Sequence, residues 1–175
     1  PTGDKDPFGL RRHAIGEIRI LVEKALPIEL PPLIDAAFRA FADIRAVTDA
    51  RAELASFIYE RLRAYLREAG CSANEAEAVL SQRPSRIDLV PARAAAVRAF
   101  SELPEADTLA GANKRIINIL KKSESEAAQA VDRGQLTEGA EHDLYLTFQK
   151  LEPIVDDACA AGDFAGALLA LAAAK

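Results

Sequence analysis

The sequence predicts an all-α helical bundle, and three features carry that expectation. Half of the 175 residues are hydrophobic, with alanine abundant and aromatics at only 6%, a composition that favours helices over sheets. Apolar residues recur at three- and four-residue spacing along most of the chain, the period of a helix with one buried face. Glycines and prolines fall mainly between those stretches, and no run alternates as a half-buried strand must. A chain of this length supports one domain, or slightly more, around a real core.

The first helix starts at Asp6, an N-cap, and Pro7, whose missing N–H is harmless in a first turn. It runs through GLRRHAIGEIRILVEKAL with Ile15, Ile18, Leu21 and Val22 on one stripe. Pro27, Pro31 and Pro32 end it and mark a connection. A second helix is expected over residues 33–46 and a third from about 49 to 68, stopped by Gly70. Ser72 and Glu75 form a capping box for a short fourth. Arg83-Pro84-Ser85 breaks the chain, Asp88 caps a fifth helix through ARAAAVRAFSEL, and Pro104 lies near the start of a sixth. The polar stretch KSESEAAQAVDRGQLTEG reads as irregular or weakly helical. A long seventh helix covers about 139 to 161, and Gly162 separates it from an eighth. No repeat of 20–50 residues is present.

The formal charge of −5 argues against a globally basic nucleic-acid coat, so any polyanion site must be a local patch. Cys71 and Cys159 belong to no C-x-x-C pair, which fits a reduced cytoplasmic setting. No run reaches the roughly 18 apolar residues of a membrane span, and no secretory leader is apparent. The final DFAGALLALAAAK is strongly helical and stops without a glycine or proline signal, as a piece cut from a longer protein would.

Residues 111–122, GANKRIINILKK, hold four cations and no acid. On a helical projection Lys114, Arg115, Asn118, Lys121 and Lys122 share one arc, and Ile116, Ile117, Ile119 and Leu120 take the opposite one. One face can be buried while the other presents charge, either to an RNA backbone through counterion release or simply to solvent. Asn118 adds a donor and an acceptor suited to a base edge. In FIYERLRAYL, Arg61 projects onto the apolar arc and needs a partner inside the bundle; Arg63 and Arg67 project to solvent and are further RNA-binding candidates. Arg11 and Arg12 suit a contact with tRNA or with an adjoining domain, and the junction-like DKDPFGLRR block favours the domain. Tyr59 projects outward and is a stacking candidate, whereas Tyr65 and Tyr145 sit at core spacing.

Catalysis and metal binding find no support. His13 lies beside two arginines, and His142 has no second histidine or cysteine at ligand spacing. No nucleophile or phosphate-loop motif occurs. Both cysteines read as small packing residues.

The segments PTGDKDPFGLRR, FIYERLRAYLREAG, LPEADTLAGANKRIINILKK and DFAGALLALAAAK resemble, in the same order, the C-terminal region of the bacterial glycyl-tRNA synthetase beta subunit. The likeness spans nearly the whole chain. In that family a Pro-Val-Asp-x-Phe-Phe-Asp segment follows the last helix, and it is missing here. The resemblance implies a truncated anticodon-binding-like helical domain, similar to that of arginyl-tRNA synthetase, preceded by helices of an adjoining HD-like domain. On that map residues 1–26 close the preceding domain, 27–52 connect, and 53–175 form the incomplete anticodon-binding-like domain. It further implies glycine tRNA and the alpha subunit as partners, with the rest of the beta subunit as a third. ATP and magnesium belong to the alpha subunit's ligase site, and this stretch itself holds no cofactor, metal or catalytic residue. A helical protein-interaction module that docks within the beta subunit or onto alpha, without RNA, is the alternative. An HD-type hydrolase is disfavoured, because the adjacent pair His142-Asp143 has no second histidine or cysteine at ligand spacing.

Overall fold

The computed structural model describes residues 6, 8–44, 48–122, 131–137 and 139–172. Among them the fold is all-α, with no strand and a single isolated bridge between Glu29 and Arg86. The helices are α1 (Leu10–Glu23), α2 (Leu30–Ala40), α3 (Arg51–Glu68), α4 (Ala73–Leu80), α5 (Val90–Ser101), α6 (Ala106–Lys122), α7 (Ala140–Ala160) and α8 (Phe164–Ala172). Short 3-10 turns cover Ile87–Leu89 and Arg133–Gln135. The chain divides into two compact units, residues 1–95 and 96–175.

In the first unit α3 packs against α1, α2 and α4, and α1 also rests on the Ile87–Leu89 turn. Helical spacing explains the core. Ala14, Ile18 and Leu21 form one buried line on α1, and Ile58, Leu62 and Leu66 form another on α3. Leu30, Ile87 and Val90 complete the fully buried set, each burial stabilising by about 1.5–3 kcal/mol.

Helix ends follow local chemistry. Ser72 Oγ accepts from the Glu75 amide, and the Glu75 carboxylate accepts from the Ser72 amide, which is the expected capping box. Gly70, at φ +88°, closes α3: its own amide donates to Arg67 C=O and that of Cys71 donates to Leu66 C=O. The same closure ends α1, but there Ala25 occupies the left-handed position at φ +46°.

Several boundaries differ from expectation. The first helix begins at Leu10, not at Asp6, because Gly9 turns the chain at φ +66°. Asp6 still serves the helix start, its two carboxylate oxygens accepting from the Leu10 and Arg11 amides at 2.9 and 3.0 Å. Pro7 lies outside the described residues. Pro31 and Pro32 sit inside the first turn of α2 and do not precede it, since amides there have no intrahelical acceptor to lose. Asp88 is in the 3-10 turn before α5, and its carboxylate goes to Arg86.

The second unit is built around the α7–α8 hairpin, closed by Gly162 at φ +77°. Arg133 ties its 3-10 turn to α7, with Nε donating to Tyr145 Oη at 3.0 Å and Nη2 to Gln149 Oε1 at 2.9 Å. Among the described residues of this unit, every buried apolar side chain is an alanine. Several large ones, including Phe148, Ile154 and Leu169, stand exposed, and others, such as Leu151, Phe164 and Leu168, are half-buried.

Candidate nucleic-acid interface

The interface candidate begins with how α6 is made. Asp107 lies in its first turn, and Lys121 and Lys122 lie in its last, so both ends complement the helix dipole. Between them Lys114, Arg115 and Asn118 share the Lys121–Lys122 side of the helix. All five side chains are exposed, and among the described residues none is tied into a hydrogen bond or an ion pair. Lys114 to Lys122 covers about 12 Å of helix at 1.5 Å per residue. Four cations over that length, against the one carboxylate of Asp107, make a strongly positive strip on an acidic chain.

The opposite arc corrects an expectation. Ile116, Ile117, Ile119 and Leu120 were expected to be buried, yet they are 42–61% exposed. The reason is that no described element is packed closely along α6: the well-packed pairs involve α1 to α4, the Ile87–Leu89 turn, and α7 with α8. Hydrophobic periodicity reveals which face is apolar, but not what covers it.

The other predicted residues fall into a different arrangement, all in the first unit. Arg63 is committed to Glu77 of α4 at 2.7 Å, so an RNA phosphate would have to compete with a carboxylate. Arg67 is exposed in the last turn of α3. Arg61 is half-buried, 3.5 Å from Glu60 and over the Phe57 ring at 5.5 Å. It sits at the edge of the core because the buried line of α3 is Ile58–Leu62–Leu66, one position round from the arc predicted for it. Its Nε is buried and finds no hydrogen-bond acceptor. Arg12 lies against Gly9, where a Cβ would meet its Nη2 at 3.2 Å.

Tyr59 is less open than expected. Its hydroxyl donates to Pro84 C=O at 3.1 Å, and the Arg83 guanidinium lies over its ring at 5.6 Å. Burial pushes its phenol above the ordinary value. Tyr65 and Tyr145 are half-buried, and Tyr145 Oη accepts from Arg133 and Gln149. Cys71 is half-buried, while Cys159 is exposed and so is not a packing residue. His13 and His142 are exposed. Among the described residues no group of three or more His, Cys, Asp or Glu is placed to hold a metal ion, and no helix is long and apolar enough to cross a membrane.

Sequence reasoning passed over two arginines that the fold uses. Arg86 grips Asp88 with two bonds of 2.7 and 2.6 Å, and those bonds hold the Asp88 carboxyl below the usual range. Arg83, at φ +44°, stacks on Tyr59 and donates to Ser56 Oγ at 3.0 Å. The only signal for either was their place beside the Pro84 break.

Fold and site define a class first: an all-α chain that presents one cationic helix face and, in its described part, no metal cluster. Comparison with known proteins narrows this. The model for the glycyl-tRNA synthetase beta subunit matches residues 1–81. Over all 175 residues the chain is 50% identical to the glycine–tRNA ligase beta subunit of Thiobacillus denitrificans, covering 25% of that protein. It is 54% identical over 172 residues to the Paracidovorax citrulli counterpart, covering 24% of it, and 50% identical over its full length to that of Delftia acidovorans, covering 25%. The chain thus spans about a quarter of the length of the curated relatives it matches. Along its whole length the chain is similar to glycyl-tRNA synthetase beta subunits.

Proposed function

We propose that this chain is a tRNA-binding part of glycyl-tRNA synthetase, engaging the anticodon end of glycine tRNA in support of ATP-dependent aminoacylation in the alpha subunit. The observation that carries the reading is the exposed cationic strip of α6, Lys114, Arg115, Lys121 and Lys122, with Asn118 among them. Such a strip gains affinity by releasing counterions from phosphates, and Asn118 offers a base edge its donor and acceptor. Arg67 is a separate candidate in the first unit, and Arg63 is another where RNA displaces Glu77. The contribution to catalysis is positional: binding energy gathered here holds the acceptor end at a distant reacting centre. ATP and magnesium act at that centre, in the alpha subunit, and the setting is the cytoplasm. The acidic remainder of the chain repels RNA from the wrong surfaces.

The test is fluorescence anisotropy with a labelled glycine-tRNA anticodon stem-loop and a copy with altered anticodon bases, across a salt series. The wild type is expected to prefer the authentic loop. Lys114→Glu/Lys121→Glu is expected to lose that binding and flatten the slope of log K against log salt by roughly 1.4, at about 0.7 per phosphate contact on a single strand. Equal and negligible binding by both proteins would refute the reading.

A second reading has its own observation, the exposed Ile116, Ile117, Ile119 and Leu120. A continuous apolar face of this kind suits docking onto another protein surface, here the rest of the beta subunit or the alpha subunit. Salt-insensitive association that Ile119→Asp abolishes, without RNA affinity, would favour it.

A further inference from the structure

The first unit contains a groove between α2, α3 and the turn after α4, with a volume of about 320 Å³. Leu30, Ile34, Ala52 and Ala55 give it an apolar floor. Its two ends are polar and unlike. At one, Arg51 is neutralised by Asp35 and Asp49, each at 3.0 Å. At the other, Arg83 lies over the Tyr59 ring, with one N–H donated to Ser56 Oγ. Among the described residues the Arg83 side chain makes no other hydrogen bond or ion pair, so most of its five donors remain available.

The backbone adds an independent sign. Arg83 sits at φ +44°, a left-handed conformation that glycine adopts freely and a long side chain does not. A strained residue that holds a charged group at the mouth of a groove is the pattern of a ligand clamp. Tyr59 is itself pinned by its bond to Pro84 C=O, so ring and guanidinium present a fixed surface. A small site of apolar floor and few convergent polar groups is how proteins hold a planar ligand.

We propose that this groove takes one unpaired nucleotide of RNA, with its phosphate on the Arg83 guanidinium and its base laid on the Leu30–Ile34–Ala55 floor toward Asp35. A guanidinium matches a phosphate with two parallel bonds. An unstacked base gains from an apolar, aromatic-edged surface whatever its identity. The Asp35 carboxylate can accept from a base amino or imino group. The identity of the ligand rests on the RNA-binding reading above, but the site is on different elements and is tested separately.

The experiment is a ¹⁵N–¹H NMR titration of the 175-residue chain with a single-stranded RNA hexamer, an abasic hexamer, and inorganic phosphate. The hexamer is expected to shift the amides of Ala52, Ala55, Tyr59 and Arg83, and the abasic hexamer to bind the groove about tenfold more weakly, as loss of one stacked base implies. Inorganic phosphate should move the Arg83 amide alone. Arg83→Gly is expected to raise the melting temperature by relieving the left-handed strain, while weakening hexamer binding at the groove about tenfold for the lost charge-assisted contact. Ala52→Phe, at an exposed position, should fill the groove and block it without unfolding the unit. Lys114→Glu/Lys121→Glu should leave the groove shifts intact. If α6 amides respond to RNA and groove amides do not, the groove assignment fails while RNA binding by α6 stands. If neither responds, both fail. Equal groove binding of the abasic hexamer, or an Arg83→Gly that lowers the melting temperature with affinity unchanged, overturns the nucleotide clamp and leaves Arg83 a structural brace.

Discussion

Leu62→Ala and Leu120→Ala make the same chemical change at opposite extremes of this fold. Leu62 is 0% exposed, in line with Ile58 and Leu66 on the face of α3 that meets the rest of the first unit. Losing three carbons there forfeits about 2.4 kcal/mol of transfer energy at about 0.8 kcal/mol per buried group. The cavity left behind adds to it, bringing the expected cost to about 3–5 kcal/mol. Leu120 is 52% exposed, and its truncation should change stability by no more than about 0.5 kcal/mol. Because the chain has two units, a single melting curve can mix their transitions. Hydrogen exchange read on peptides from α1 and α3 separates them. Leu62→Ala should speed exchange there by roughly two to three orders of magnitude, at about 1.4 kcal/mol per tenfold, and Leu120→Ala should leave it unchanged. A cost for Leu120→Ala comparable to that for Leu62→Ala would show that α6 is covered in solution, and the argument from its exposed face would fall.

Three further outcomes are expected. Ala25→Gly should stabilise the first unit by about 1 kcal/mol, because Ala25 holds a left-handed conformation at the close of α1 that costs any residue with a Cβ; urea midpoints check it. Ser72→Ala should destabilise by about 1 kcal/mol through loss of the α4 cap, seen as faster exchange confined to α4 and its contacts. The Asp88 carboxyl is held low, chiefly by its bonds from Arg86. Its stabilising contribution is therefore full above the unfolded carboxylate value, near pH 4, and is lost as pH falls through the depressed folded value. Asp88→Asn should flatten that acid limb of the stability–pH profile, and an unchanged limb would show that the pairing adds nothing.

Local chemistry was legible in the sequence wherever it is self-contained. The Ser72–Glu75 box, the glycine closures at Gly70 and Gly162, and the one-sided spacing of Ile18 and Leu21 each depend on residues within a turn or two. Pro31 and Pro32 misled because proline carries two meanings, ending a helix or opening one, and only the position of the preceding turn decides between them. Arg86 and Arg83 were missed because their roles depend on which side chains the chain break brings near. Pro153 passes without a break inside α7, since tertiary context can carry a helix past one absent amide. For the candidate interface, the composition of α6 was readable and its surroundings were not. Periodicity sorts residues between two faces, while coverage is a property of neighbours.

The nakedness of α6 has a thermodynamic consequence. From Gly111 to Lys122 no side chain is buried, so this stretch gains almost nothing from tertiary burial and leans on its intrinsic helix–coil balance. For a helix of 17 residues that balance is close to even in water. Anything that engages either face therefore also tips the helix–coil equilibrium, and part of its free energy goes into ordering the backbone. Binding at α6 would then carry its own reporter: a gain in ellipticity at 222 nm, scaling with occupancy.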